Sequence, residues 1–130
     1  MAGFDWNTFY SLFQAKMKSV CTVGRYTIPK SPTYPYLDIA LADNSGGNYD
    51  LEAVENTQNP MIEINVYCNN YDNATCYDVS MKAKELMLEY GFHCKTGPIK
   101  VDNTDPAVAR WVSRYHRTFG NNDKLQRIRK

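Results

Sequence analysis

Several features that define common protein classes are missing from this 130-residue sequence. Its apolar runs fall short of the ~18 residues that a membrane-spanning helix requires, and its start lacks the charged and apolar regions of a signal peptide. The cysteines include no CxxC pair, and Cys68, Cys76, Cys94 and His93 match no zinc-ligand spacing. We therefore expect a cytosolic protein without a membrane partner, with reduced thiols and no structural disulfide.

Patterns that support catalysis or cofactor binding are also missing. His93 and His116 have no serine or carboxylate at a spacing typical of a catalytic triad. Gly46 and Gly47 are not followed by the GK[ST] sequence or the helix start of a phosphate-binding loop. The polar run 102–105 lacks the glycine and the distant glutamate of a calcium-binding loop. We therefore expect a protein that is not an enzyme and that binds neither a metal nor a cofactor.

The composition is typical of a globular protein. Hydrophobic residues make up 43% of the chain and charged residues 22%, which excludes a wholly disordered chain. This length suffices for one core. We expect one domain over residues 1–120, followed by a basic tail, residues 121–130, that is disordered or becomes ordered on a partner.

Two segments have the signals of helices. Asp5 can cap a first helix over 5–19, against which Phe4 can form a hydrophobic staple. Asn and Asp residues within 70–73 can cap a second helix, which Gly91 ends. The apolar positions of the first helix are Phe9, Leu12, Phe13, Ala15, Met17 and Val20. The main stripe of the second is Tyr77, Met81, Lys84 and Leu88, flanked by Val79, Ala83, Leu86 and Tyr90.

Alternation of apolar and polar residues predicts strands over 36–42 and 61–68. Turn-forming and polar residues between them, 43–59, predict a long exposed loop or a hairpin. Before and after this pair we expect short strands at 25–28 and 92–95.

Turns are predicted at Gly97-Pro98 and at 102–106, with at most a short strand between them. The final segment, 107–118, alternates in the manner of a long strand. A helix is the rival assignment, because the basic residues Arg110, Arg114 and Arg117 also form one helical stripe.

The order of elements is helix, strands, helix, strands. It predicts an α+β fold, with an antiparallel or mixed sheet of about four to five strands and two helices packed on one face. The opposite face of such a sheet has to be covered by something else.

The C-terminal end is locally basic. Seven Lys or Arg residues follow Val108, against the single acid Asp123. Such a cluster can follow a phosphate backbone, but no nucleic-acid-binding motif accompanies it. A small DNA-binding accessory protein that uses this end is therefore an alternative function, and passive proximity to DNA is compatible with either function.

Residues 34–118 resemble the tail terminator, or tail completion, proteins of long-tailed bacteriophages. The resemblance lies in patterns of apolar positions and turns, while the N-terminal helix and the basic tail do not contribute to it. The segments that carry it are Tyr34–Ile39, Glu55-Asn56, Met61–Tyr67, Ala83–Met87, Tyr90–Phe92, Asp102–Asp105 and Ala109–Tyr115.

The resemblance implies a structural virion subunit that is assembled in the host cytoplasm and located in the tail or neck. Copies of it would form a closed homohexameric ring that caps the tail tube and presents a surface to the head-tail connector. Its partners would be itself, the tail tube protein and the connector protein. Another head-tail joining or neck protein is the alternative within this class.

Contacts with these partners are expected from the polar loop 44–59, the turn 98–106 and the tail after Gly120. Exposed polar loops and flexible ends are common places for such contacts. The expected interface residues are Asn44, Tyr49, Asp50, Glu52, Glu55, Asn56, Lys100, Asp102, Asn103, Asp105, Arg110, Arg114, Arg117, Lys124 and Arg127.

Overall fold

The computed structural model describes residues 4–26, 33–47 and 57–120 of the chain. None of the described helices is long and apolar enough to span a membrane. In chain order the elements are α1 (Trp6–Met17), β1 (Thr22–Arg25), β2 (Tyr36–Gly47), β3 (Thr57–Asn69), α2 (Asn73–Glu89), β4 (His93–Val101), β5 (Val108–His116) and β6 (Phe119–Gly120).

The described strands form one six-stranded sheet in the order β1-β2-β3-β5-β4, with β6 paired to β3. The sheet is mixed, because β1 runs parallel to β2 while the other pairs are antiparallel. The predicted α+β fold is therefore confirmed. The strand count is slightly higher than expected, since the short β1 and β6 join the four longer strands.

Helix α1 begins as the sequence predicts. The Asp5 carboxylate accepts a hydrogen bond from the Asn7 amide at 3.1 Å and another from the Thr8 hydroxyl at 2.8 Å. The rings of Phe4 and Phe9 lie 5.6 Å apart, which is the contact of a hydrophobic staple. The core takes Phe9, Phe13 and Met17 from this helix, whereas Leu12, Ala15 and Val20 are exposed.

Phenylalanines fill the region where α1 meets the end of α2. Phe4 lies 6.1 Å from Phe92 and 5.2 Å from Phe119, and Phe9 lies 5.5 Å from Phe92, all between ring centroids. Gln58 holds this end of the chain in place, because its side-chain oxygen accepts the Phe4 amide hydrogen at 2.9 Å. The aromatic content of the sequence thus contributes directly to the core.

The buried side of α2 is the predicted flank, Val79, Ala83, Leu86 and Tyr90, and not the predicted main stripe. Tyr77 and Leu88, assigned to the main stripe, are exposed. The side facing the sheet carries Cys76, Val79, Ser80, Ala83, Leu86 and Met87. Apolar residues occur on both sides of this helix, so periodicity alone does not choose between them. The small side chains of Ser80 and Ala83 favour the buried side, because they allow close approach to the sheet.

The C-terminus of α2 is closed as predicted at Gly91, which has a φ of +85°. The Gly91 amide donates to the Leu88 carbonyl at 3.0 Å, and the Phe92 amide donates to the Met87 carbonyl at 3.1 Å. This is the Schellman pattern, in which a residue with positive φ turns the chain out of the helix.

The hairpin of β2 and β3 is longer than the alternating patterns that predicted it. Residues 43–47 pair with 57–61, beyond a register shift between Leu41 and Asp43. The turn-forming residues at 43–47 thus belong to a strand, because cross-strand backbone pairing compensates for their low strand propensity. The part of the predicted loop at 48–56 and the tail 121–130 lie outside the described residues.

The turn predicted at Gly97-Pro98 is wrong, because β4 continues through it. The register against β5 shifts twice, between Cys94 and Thr96 and between Thr96 and Ile99, so these residues form an irregularity inside an edge strand. The Cys94 thiol donates toward the carbonyls of Thr96 and Gly97, at 3.4 and 3.2 Å. The final segment is the strand β5 and not a helix.

Candidate interaction surface

The sheet face opposite the helices carries polar and aromatic side chains. The buried side chains of both helices pack against alternate residues of the same strands, so within the described ranges neither helix lies on this surface. Directly opposed residues of neighbouring strands share a face. The surface, which we name the open face, comprises Tyr36 and Asp38 of β2, Glu63, Asn65 and Tyr67 of β3, Arg110, Val112 and Arg114 of β5, and Ile99 of β4.

A chain of hydrogen bonds crosses the open face from β5 to β3. Arg114 Nε donates to Glu63 Oε1 at 2.9 Å, and the other Glu63 oxygen accepts from Asn65 Nδ2 at 2.9 Å. Asn65 Oδ1 in turn accepts from Arg110 Nε at 2.9 Å. Each arginine uses its Nε in this chain, and a guanidinium carries four further N–H donors on its outer nitrogens.

Glu63 is electrostatically suited to its place between the two arginines. Partial burial, the largest single influence, raises the pKa of Glu63, but hydrogen bonds from Asn65 and Arg114 and the charges of both arginines together lower it below its ordinary value. The carboxylate is therefore ionised at neutral pH. It fixes the orientation of Arg114, whose side chain is still 50% exposed.

Aromatic and aliphatic side chains form the rest of the open face. The rings of Tyr36 and Tyr67 lie 6.5 Å apart. Burial raises the pKa of both tyrosines, so they are neutral phenols at physiological pH. Val112 is buried beneath its neighbours, whereas Ile99 on the edge strand is 53% exposed. Tyr36 and Tyr67 are buried as well, at 2% and 9% exposure, so the described part of the open face presents mainly Ile99 and the two arginines to a partner.

A second group of predicted residues surrounds an open cleft at the turn between β4 and β5. The cleft has a volume of about 390 Å³ and is lined by Asn70, Lys100, Val101, Asp102, Asn103, Pro106 and Val108. Lys100 Nζ donates to Asn70 Oδ1 at 3.3 Å. The turn is stabilised internally by Asp105, whose Oδ1 accepts the Ala107 amide hydrogen at 2.9 Å. The cleft is thus polar, with a lysine and a carboxylate at its rim.

The structure divides the predicted interface residues into separate groups. Arg110 and Arg114 lie on the open face, and Asn44 is exposed on β2. Lys100, Asp102 and Asn103 line the cleft, with Asp105 in the same turn. The remaining predicted residues, which lie outside the described ranges, are Tyr49, Asp50, Glu52, Glu55, Asn56, Lys124 and Arg127.

Arg117 does not belong to an exposed basic stripe, and its assignment as an interface residue is contradicted by its burial at 3% exposure. Its Nη1 donates to the carbonyl of Tyr90, the last residue before the Gly91 turn. The guanidinium lies over the Phe119 ring, 3.7 Å from the centroid. Arg117 therefore stabilises the C-terminus of α2, where a cation interacts favourably with the helix dipole.

Sequence reasoning missed several residues of the open face. Glu63, Asn65 and Tyr67 were recognised as one side of a strand but not as part of a surface with the arginines of β5. Their pairing with residues 110–114 depends on strand order, which no local pattern specifies. Ile99 was missed because the Gly97-Pro98 sequence predicted a turn beside it.

Comparisons with known proteins give no family assignment. No family model matches the chain. No curated protein matches it either. The open face and the cleft are therefore interpreted from their own chemistry, together with the resemblance of residues 34–118.

Proposed function

We propose that this chain is a structural subunit of the virion neck of a long-tailed phage, a tail terminator that closes into a ring on the tail tube. The observation that supports the proposal is the open face, a sheet surface with no described helix of its own, on which Ile99, Arg110 and Arg114 are accessible. The resemblance of residues 34–118 indicates the kind of assembly. The role that the resemblance implies is to join head and tail by binding to their proteins.

The architecture supports this role because a ring subunit needs several distinct surfaces. A cyclic interface uses two different patches on every copy, and the two ends of the ring contact the tube and the connector. The described residues offer the open face, the exposed side of α2 and the cleft at the turn between β4 and β5. These surfaces lie on different sides of the fold, so one copy can contact several partners.

The test uses the purified full-length chain and polymerised tail tubes of the phage that encodes it. Light scattering gives the mass of the protein alone and with tubes, and electron microscopy shows the tube ends. We expect ring-shaped caps at one end of the tubes, and capped tubes that no longer elongate when tube protein is added. Tubes without the chain, which continue to elongate, are the control.

Two results would contradict the proposal. One is a chain that neither forms rings nor binds tube ends. The other is steeply salt-dependent DNA binding that disappears when residues 121–130 are removed, without any capping of tubes. That second pattern would instead establish the DNA-binding alternative. Capping of the opposite tube end, or binding only to isolated connectors, would identify a different neck component.

A further inference from the structure

The two histidines of the chain lie opposite one another at one end of the sheet. His93 is the first residue of β4 and His116 is the last of β5, and the register pairs them directly across these antiparallel strands. Directly opposed residues share a face of the sheet and have Cβ atoms about 4.5–5.5 Å apart. The fold thus places side by side two imidazoles that are far apart along the sequence.

Both imidazoles are available to a ligand. His93 is exposed and His116 is half-buried. Within the described ranges, no hydrogen bond or ion pair engages either ring. A neutral imidazole carries a lone pair on one ring nitrogen, which makes histidine the commonest metal ligand in proteins.

The spacing of the pair is suited to coordination of one ion by both rings. Zinc binds imidazole nitrogen at about 2.0–2.1 Å, so two nitrogens on a tetrahedral ion are roughly 3.3 Å apart. Side chains with Cβ atoms about 5 Å apart reach this separation when they lean toward each other. The described residues contain no group of three or more His, Cys, Asp or Glu side chains that could hold a metal ion. The pair therefore supplies two ligands, and water completes the coordination.

The charges around the pair permit a bound cation. Arg114 lies two residues before His116 on the same side of β5, but its charge is balanced by the Glu63 carboxylate, which is 2.9 Å from Arg114 Nε. Lys95 on β4 is exposed, so its long side chain can hold the ammonium group in water, away from the pair.

We propose that His93 and His116 form a chelating site for a divalent transition-metal ion of the kind that imidazole ligands favour, such as Zn²⁺, Ni²⁺ or Cu²⁺. The ion would join the start of the edge strand β4 to the end of β5. A clamp at this position holds the two strands together just before their register shifts twice. The site does not depend on the proposed ring function.

The first experiment titrates the full-length chain with NiCl₂ in a calorimeter. The chain has only two histidines, so no other imidazole competes. We expect one ion per chain. His93→Asn and His116→Asn should each weaken binding about a hundredfold, because the second ligand of a chelate binds at a high effective concentration.

Cys94→Ser is a matched control for the neighbouring thiol. Cys94 follows His93 but pairs with Tyr115, so it lies on the other side of the sheet, and its thiol donates toward the carbonyls of Thr96 and Gly97. The variant should leave the dissociation constant for Ni²⁺ unchanged.

A second control tests whether the two histidines have to be directly opposed. It combines His116→Asn with Met61→His, which keeps two histidines on one face but separates them by β5. Neighbouring strands are about 4.8 Å apart, so the two Cβ atoms would be roughly 10 Å apart. This variant should bind Ni²⁺ as weakly as the variants with one histidine. Circular dichroism confirms that each variant is folded.

Proton NMR of the wild-type chain provides a test that needs no variant. Paramagnetic Ni²⁺ should broaden the ring C–H signals of both histidines in parallel, from the first addition onward. Parallel broadening is expected only if one ion contacts both rings.

Three results would overturn the inference. Broadening of one histidine alone, or wild-type binding no tighter than that of the variants with one histidine, shows that the rings do not act together. Binding by the variant with Met61→His that equals wild type shows that opposition is not required. A loss with Cys94→Ser as large as that with His93→Asn identifies a different ligand set. Each of these results leaves the capping of tail tubes unaffected.

Discussion

Two glycines with similar positive φ angles allow the conformational cost of a side chain to be separated from a steric clash. Gly97 in β4 has a φ of +81° and Gly91 after α2 has a φ of +85°. Replacing either glycine with alanine puts a side chain in the left-handed region, at a cost of about 1–2 kcal/mol. The close φ values make that part of the cost similar at both positions.

The surroundings of the new methyl group differ. At Gly97 a Cβ atom would lie 2.3 Å from the Val112 carbonyl oxygen and 3.1 Å from the Ser113 Cα, both of which belong to the neighbouring strand. At Gly91 the nearest atoms are those of the Arg117 side chain, at 3.2–3.4 Å, which have only to move by a few tenths of an ångström. The clash at Gly97 requires displacement of backbone and loss of one or two pairing hydrogen bonds beside it.

We expect Gly97→Ala to lower the free energy of unfolding by about 3–5 kcal/mol, from the conformational cost plus lost hydrogen bonds of about 1 kcal/mol each and the associated strain. Gly91→Ala should lower it by about 1–2 kcal/mol. Urea unfolding followed by circular dichroism measures both values. Equal losses for the two variants would refute the reasoning, because the close approach of Val112 would then have no energetic effect.

Three further outcomes follow from the described contacts. Arg117→Met, which keeps the aliphatic stem but loses the charged hydrogen bond to Tyr90, should cost about 2 kcal/mol and speed hydrogen exchange in the last turn of α2. Tyr115→Phe should be neutral in urea unfolding or stabilise by up to about 1 kcal/mol, because this buried hydroxyl lies near Ser113 without a well-aligned partner. The lowered pKa of Glu63 adds stability that is fully present above the ordinary glutamate pKa and is lost as the pH falls from there through the lower pKa of the folded state. Glu63→Gln should therefore flatten the acid side of a stability-versus-pH curve, and an unchanged slope would contradict this.

Local sequence signals predicted the parts of the fold that local chemistry determines. The Asp5 cap, the Phe4 staple and the Gly91 terminus each depend on a few neighbouring residues, and all three are present. The alternation over 61–68 likewise identified the central part of β3. These features need no knowledge of strand order.

Local sequence signals did not predict the features that depend on tertiary contacts. The main stripe predicted for α2, which includes Tyr77 and Leu88, is exposed and its flank is buried, because the position of the sheet decides which side of the helix packs. Arg117 was placed with Arg110 and Arg114 because all three share a basic character, although packing buries only Arg117. The sequence cannot show that Arg117 closes a helix 27 positions away along the chain.

The irregular edge of the sheet limits what kind of polymer this protein can form. The two register shifts in β4, together with Lys95, Pro98 and Lys100, leave no straight row of backbone donors and acceptors for a foreign strand to pair with. The irregular edge therefore disfavours the strand-by-strand pairing of copies that builds amyloid fibrils. At this edge, the fold therefore tolerates a high local concentration of copies.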